Sequence, residues 1–147
     1  MKKKIDGNGL EFYGSDSSTT TLIPISNNSV SAGFPSPADD FKETRISLDK
    51  TLIKNKEATF YARVSGKSML NAGLDDGDLL VIDRSLEATN GKIVVCFIDG
   101  EFTVKRFKKE DEKLFLMPEN KNYKPIEIKE GTDLLLWGVV TYVIKAV

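Results

Sequence analysis

From Ala58 onward the chain is written in short runs rich in Val, Ile, Phe and Tyr, broken by Gly, Asp, Asn and Pro. Runs of this length and composition predict strands, here over 58–64, 78–83, 92–98, 101–108, 113–117, 125–128 and 134–145, and so a mainly β domain. Upstream the pattern changes. Residues 1–33 carry little periodic apolar pattern, and Ser15–Thr21 and Ser26–Ser31 are almost wholly small and polar. Such a segment buries too little surface to order itself and reads as a flexible arm. Leu22-Ile23-Pro24-Ile25 is the exception, a short apolar patch suited to docking on the body. Gly33-Phe34-Pro35-Ser36-Pro37 then sets up an extended, stiffened connection. Ser47 is placed to cap a short helix from about Leu48 to Lys54, whose Leu48, Leu52 and Ile53 share one side and point to a packing role.

The sharpest local signal is Asp99-Gly100, a two-residue hairpin turn between two alternating apolar runs. It predicts a register: Ile98 opposite Glu101, Cys96 opposite Thr103 and Val94 opposite Lys105, all on one face, with Val95, Phe97, Phe102 and Val104 on the other. Lys105 is thereby expected among Val94, Cys96, Thr103 and Phe107. A lysine acts as a base only when neutral, and burial among apolar neighbours disfavours its charged form. Each unit by which its pKa is lowered costs the fold about 1.36 kcal/mol. From the pattern alone the plainer reading also stands, a strand lysine whose stem is covered and whose head reaches water.

Composition narrows the chemistry. The 147 residues suit one ordinary domain plus an arm. A net charge of -1 gives no overall attraction to nucleic acid, so direct sequence-specific DNA binding is not expected. The single cysteine, Cys96, forms no internal disulfide, in keeping with a reducing compartment. Met1-Lys-Lys-Lys4 is followed by Asp6, Gly7, Asn8 and Gly9 where a signal peptide would be apolar, and the longest apolar stretch, Leu134–Ile144, is too short to span a bilayer as a helix. A cytoplasmic protein without membrane contact is expected. The absence of histidine is the most restrictive fact. It removes Ser-His-Asp and Cys-His catalysis and histidine-rich zinc sites, and with one cysteine no cofactor or metal is expected.

Ser68 stands in Ser65-Gly66-Lys67-Ser68-Met69, between a predicted strand and a predicted helical turn. A serine there sits beside unpaired backbone N–H groups, those of Lys67 and Ser68, of the kind that stabilise an oxyanion. It also reads as an ordinary N-cap or turn serine. The basic run Lys105, Arg106, Lys108 and Lys109, followed by Glu110, Asp111 and Glu112, reads as a solvated hairpin end, and Trp137 and its strand as core.

Over residues 30–147 the chain resembles the UmuD and LexA group of SOS-response proteins, which cleave themselves with a serine-lysine dyad. The resemblance rests on Ser65–Met69 as the nucleophile segment, Gly77–Asp83 as the strand after it, and Asp99–Lys105 as the lysine-bearing hairpin, with Lys105 standing 37 residues after Ser68. The ending Trp137-Gly138-Val139-Val140 with Lys145-Ala146-Val147 is similar to the UmuD end of the group. It implies Ser68 as nucleophile, Lys105 as general base, and Ala32-Gly33 as the bond cut. The implied organisation is an arm over 1–32, a connection with a short helix over 33–57, and a LexA/UmuD-like peptidase fold of short twisted sheets over 58–147. It further implies promotion by a RecA filament on single-stranded DNA, a homodimer, and a UmuC-like translesion polymerase subunit as partner. A repressor is not expected, since residues 1–32 lack a paired helical pattern. A reading of another class is a non-catalytic β-rich dimeric interaction subunit in which Ser68 and Lys105 are idle.

Overall fold

The computed structural model describes residues 10–15, 21–25, 44–66 and 69–147. The chain divides into two units, one spanning Asp16–Lys54 and the other the residues on either side of it. The first strand, β1 (Leu10–Gly14), belongs to the larger unit. In the smaller unit β2 (Leu22–Ile25) pairs antiparallel with β3 (Thr44–Ser47), Leu22 opposite Ser47. Helix α1 (Leu48–Leu52) follows, with the Ser47 hydroxyl accepting from the Lys50 N–H at 3.4 Å, the expected cap. The helix stops two residues short of the expected Lys54 because Ile53 is extended, its N–H closing on the Asp49 carbonyl at 2.8 Å. No residue of α1 is fully buried: Leu48 is 54% exposed while Leu52 and the following Ile53 are half-buried, so the apolar side expected to pack is covered only in part.

The larger unit continues with β4 (Thr59–Val64), β5 (Leu79–Asp83), β6 (Ile93–Ile98), β7 (Glu101–Glu110), β8 (Lys113–Met117), β9 (Ile126–Ile128) and β10 (Leu134–Ile144). Each lies within two residues of its expected span, so the mainly β reading holds. The eight strands form one antiparallel sheet in the order β1-β4-β5-β10-β6-β7-β8-β9. Strand β7 outruns the expected 108 because Glu110 pairs with Lys113 across Asp111 and Glu112, which hold positive φ of 46° and 62° in a two-residue turn.

Three strands lie where the sequence predicts none: β2 and β3 in the smaller unit, formed by the apolar patch at Leu22–Ile25 and by part of the connection, and β1 in the larger. Leu10–Gly14 lies in the segment read as a flexible arm, yet it pairs along its whole length with β4, from Leu10 opposite Val64 to Gly14 opposite Phe60. The cause is a short alternation: Leu10 and Phe12 are both buried while Glu11 between them is exposed. Two apolar residues are too few to stand out as a periodic run, but they fill a site the rest of the sheet has built.

That site exists because the sheet curls. Strands β1 and β7 are five steps apart, which in a flat sheet at about 4.8 Å per step would be roughly 24 Å. Instead the Phe12 and Phe102 rings lie 4.8 Å apart, and Phe12 and Trp137 4.7 Å apart. Inside the curl sit Leu10, Phe12, Ala62, Met69, Leu80, Ile82, Val95, Val104 and Trp137. A second cluster, Val94, Cys96, Phe107, Leu116 and Val139, covers the other face. The turn in β10 passes through Gly138, where the register shifts against β6. A Cβ there would lie 2.5 Å from the Ile82 Cγ2 of β5, so glycine is required for the close approach of β10 to β5.

Candidate active site

Strand β7 places Lys105 as the hairpin register predicts. Asp99 and Gly100 take φ of 49° and 86°, and Ile98 faces Glu101, Cys96 faces Thr103 and Val94 faces Lys105. Positive φ at both turn residues matches the right-handed twist of the flanking strands, so the Asp-Gly pair sets the register. Lys105 is buried, 7% exposed, and its Nζ donates to the Thr103 hydroxyl at 2.9 Å and to the Val104 carbonyl at 3.1 Å. The head therefore does not snorkel into water.

Burial is the main influence on this amine and pulls its pKa below the ordinary lysine range, while the nearby Cys96 works the other way. Cys96 opposes it only as a thiolate. Its own burial pushes the thiol up to about 12, and it donates to the Thr103 carbonyl at 3.5 Å. At neutral pH the thiol is neutral, so that opposition falls away, and the two hydrogen-bond acceptors are left to favour the charged form against desolvation. A lysine with a depressed pKa is what general-base chemistry by an amine requires.

The loop between β4 and β5, which includes the Ser65–Met69 motif, is fastened at both ends. The Gly66 N–H donates to the Asp76 carboxylate at 3.1 Å, Gly77 N–H to the Val64 carbonyl at 2.8 Å, and Val64 N–H to the Asp78 carbonyl at 2.8 Å. Gly66 holds φ of 100°, a conformation that favours glycine. Met69, the last residue of the motif, is buried in the core, and beyond it the Asn71 N–H donates to the Glu119 carbonyl at 2.7 Å. Asp78 is buried as well. Its carboxylate accepts from the Asp75 N–H at 2.8 Å and from Lys145 Nζ at 2.6 Å, and Lys145 also reaches Asp75 at 2.5 Å. Burial works to raise the Asp78 carboxyl, but the hydrogen bonds and the charge of Lys145 outweigh it and hold it below the usual range.

Of the residues singled out in the sequence, Lys105 is placed by the fold. Lys67, Ser68, Ala32 and Gly33 lie outside the described residues. Sequence reasoning missed Thr103 as an acceptor for Lys105, and Asp76, Asp78 and Lys145 as the fastening of the loop. The Gly-Asp pair at Gly77-Asp78 was the available signal for the turn, whereas nothing in the order of residues joins Lys145 to it. Among the described residues no cluster of three potential metal ligands occurs, and no helix is long and apolar enough to cross a membrane.

Comparison with known proteins identifies the family of the chain. The signature of the Peptidase S24-like family matches residues 24–141. MucA of Salmonella typhimurium is 41% identical over 132 residues, covering 89% of this chain and 90% of MucA. ImpA of Shigella flexneri is 41% identical over 125 residues, 82% of each chain. The LexA repressor of Clostridium perfringens is 43% identical over 112 residues, 76% of this chain and 55% of the repressor. The chain belongs to the Peptidase S24-like family, in the LexA and UmuD group that its three motifs resemble.

Proposed function

We propose that this protein is a self-cleaving serine peptidase of the SOS response whose substrate is the Ala32-Gly33 bond of its own arm. The observation that carries the reading is the state of Lys105: buried, depressed by desolvation, and held at the hairpin position of the family's lysine motif. In the proposed reaction the Ser68 Oγ attacks the Ala32 carbonyl as neutral Lys105 takes the hydroxyl proton. The backbone N–H groups of Lys67 and Ser68 stabilise the oxyanion. The Ala32-Gly33 C–N bond then breaks, Lys105 delivers the proton to the Gly33 amine, and water hydrolyses the Ala32 ester to free Ser68. Because the substrate is tethered, docking of the arm supplies effective concentration, and control of docking is control of cleavage.

On this reading residues 1–32 are the removable arm, 33–57 the connection and 58–147 the catalytic domain, working in the cytoplasm. A RecA filament on single-stranded DNA promotes the cut, and the product Gly33–Val147 serves as a homodimer with a UmuC-like translesion polymerase subunit. Tyr142, Val143 and Ile144, exposed at the end of β10, support self-association of the product.

The test is to incubate purified protein at alkaline pH and measure product masses. A fragment beginning at Gly33, absent from Ser68→Ala and Lys105→Ala, is expected. A chain that stays intact even with an activated RecA filament would overturn the peptidase reading in favour of an interaction subunit with an idle dyad.

A further inference from the structure

The arm is not free of the body, and that changes what cutting it accomplishes. Strand β1 pairs with β4 over all five of its residues, at one edge of the sheet. Phe12 stands opposite Ala62, whose small side chain leaves room for the ring, and packs against Phe102 and Trp137. Leu10 stands opposite Val64, and both are buried. Glu11 points outward and is exposed, and its carboxylate accepts from the Tyr13 hydroxyl at 2.7 Å. The arrangement has the parts of a strand-addition site: an edge that supplies backbone hydrogen bonds, and pockets that read alternate side chains.

We propose that the outer edge of β4 and the slot lined by Ala62, Phe102 and Trp137 form a peptide-binding site for an extended segment reading apolar-any-aromatic. Leu10–Gly14 is its ligand, bound in cis in the intact chain and held in trans once the chain beyond β1 is cut. The occasion for such a cut rests on the self-cleavage proposed above; the site does not. A break at Ala32-Gly33 severs none of the contacts that hold β1. Cleavage and loss of the arm are therefore separate steps, the second a reversible dissociation set by concentration. When the segment does leave, it exposes an unpaired strand edge beside apolar rings, a surface that invites another strand.

The experiment uses the full chain carrying Ser68→Ala, so that the result does not depend on self-cleavage. Asp16–Thr20 is replaced by the recognition sequence of a site-specific protease, which separates β1 from everything after it. The cut protein is run on a sizing column, and a fluorescent synthetic peptide covering residues 8–16 is offered to cut and uncut protein. The expected result is that the fragment co-elutes with the body, and that the peptide exchanges into the cut protein and is excluded from the uncut chain. Substitutions are made in the peptide, so the body keeps its packing. Phe12→Ala should weaken binding about a hundredfold or more, Phe12→Leu should weaken it less, and Glu11→Ala should leave it unchanged. A wild-type fragment that separates at once and a peptide that does not bind the cut protein would overturn the proposal. So would equal binding to the uncut chain, or indifference to Phe12→Ala, either of which would place the peptide elsewhere.

Discussion

Truncating Phe12 in the intact chain should cost a large part of the protein's stability. The ring is 1% exposed and meets the Phe102 and Trp137 rings at centroid distances of 4.8 and 4.7 Å. Removing such a ring costs about 3–5 kcal/mol, the spread reflecting how far the neighbours collapse into the space. Because β1 lies at the edge of the sheet, its own backbone is free to settle toward the space left by the ring, which points to the lower end, about 3 kcal/mol. For a domain near 150 residues each kcal/mol lowers Tm by about 2–4 °C, so Phe12→Ala should melt roughly 6–12 °C below the wild type. Thermal unfolding followed by circular dichroism at neutral pH measures this, with Glu11→Ala as a control whose exposed side chain should matter by less than about 0.5 kcal/mol. A Phe12→Ala protein melting within about 2 °C of the wild type would refute the placement of β1 in the core.

Lys105→Met should abolish cleavage yet raise stability at neutral pH, because it keeps the stem and removes an amine that burial penalises. The folded pKa lies below the unfolded value, so the unfolded chain binds more protons between the two and wild-type stability rises with pH across that window. The advantage of Lys105→Met should accordingly shrink as pH rises toward the ordinary lysine value of 10.5; Tm measured from pH 7 to 10.5 would show otherwise if the gain held constant. Asp78 has a lowered folded pKa, so its contribution is present above the ordinary value of 3.8 and lost as pH falls through the folded one. Asp78→Asn should flatten that acid limb of the stability curve in denaturant titrations. Gly138→Ala, with its Cβ 2.5 Å from a fully buried Ile82, should cost about 1–3 kcal/mol by overpacking, and a wild-type melting curve would show that β10 and β5 can separate there.

The fold was legible where local chemistry dictated it. Asp99-Gly100 encodes its own turn, and the turn carries the register that puts Lys105 opposite Val94. The same logic extends to the strands, whose Val, Ile and Phe runs end at Gly, Asp or Pro. What stayed hidden depended on distant partners. Leu10 and Phe12 make a strand only because the curl of the sheet brings Phe102 and Trp137 to meet them, across some 90 and 125 positions of sequence. Lys145 fastens the Asp75–Asp78 turn from the far end of the chain. Likewise, the burial of the Lys105 head, as distinct from its stem, follows from the Thr103 hydroxyl and the Val104 carbonyl turning it inward.

The dependence of self-cleavage rate on pH tests the central claim most directly. If neutral Lys105 is the base, the first-order rate at which Gly33–Val147 appears should rise about tenfold per pH unit while the amine is mostly protonated, then level off once it is neutral. The same profile should vanish in Lys105→Ala. A rate that is flat from pH 7 to 10, or a rising one that survives Lys105→Ala, would contradict Lys105 as the base.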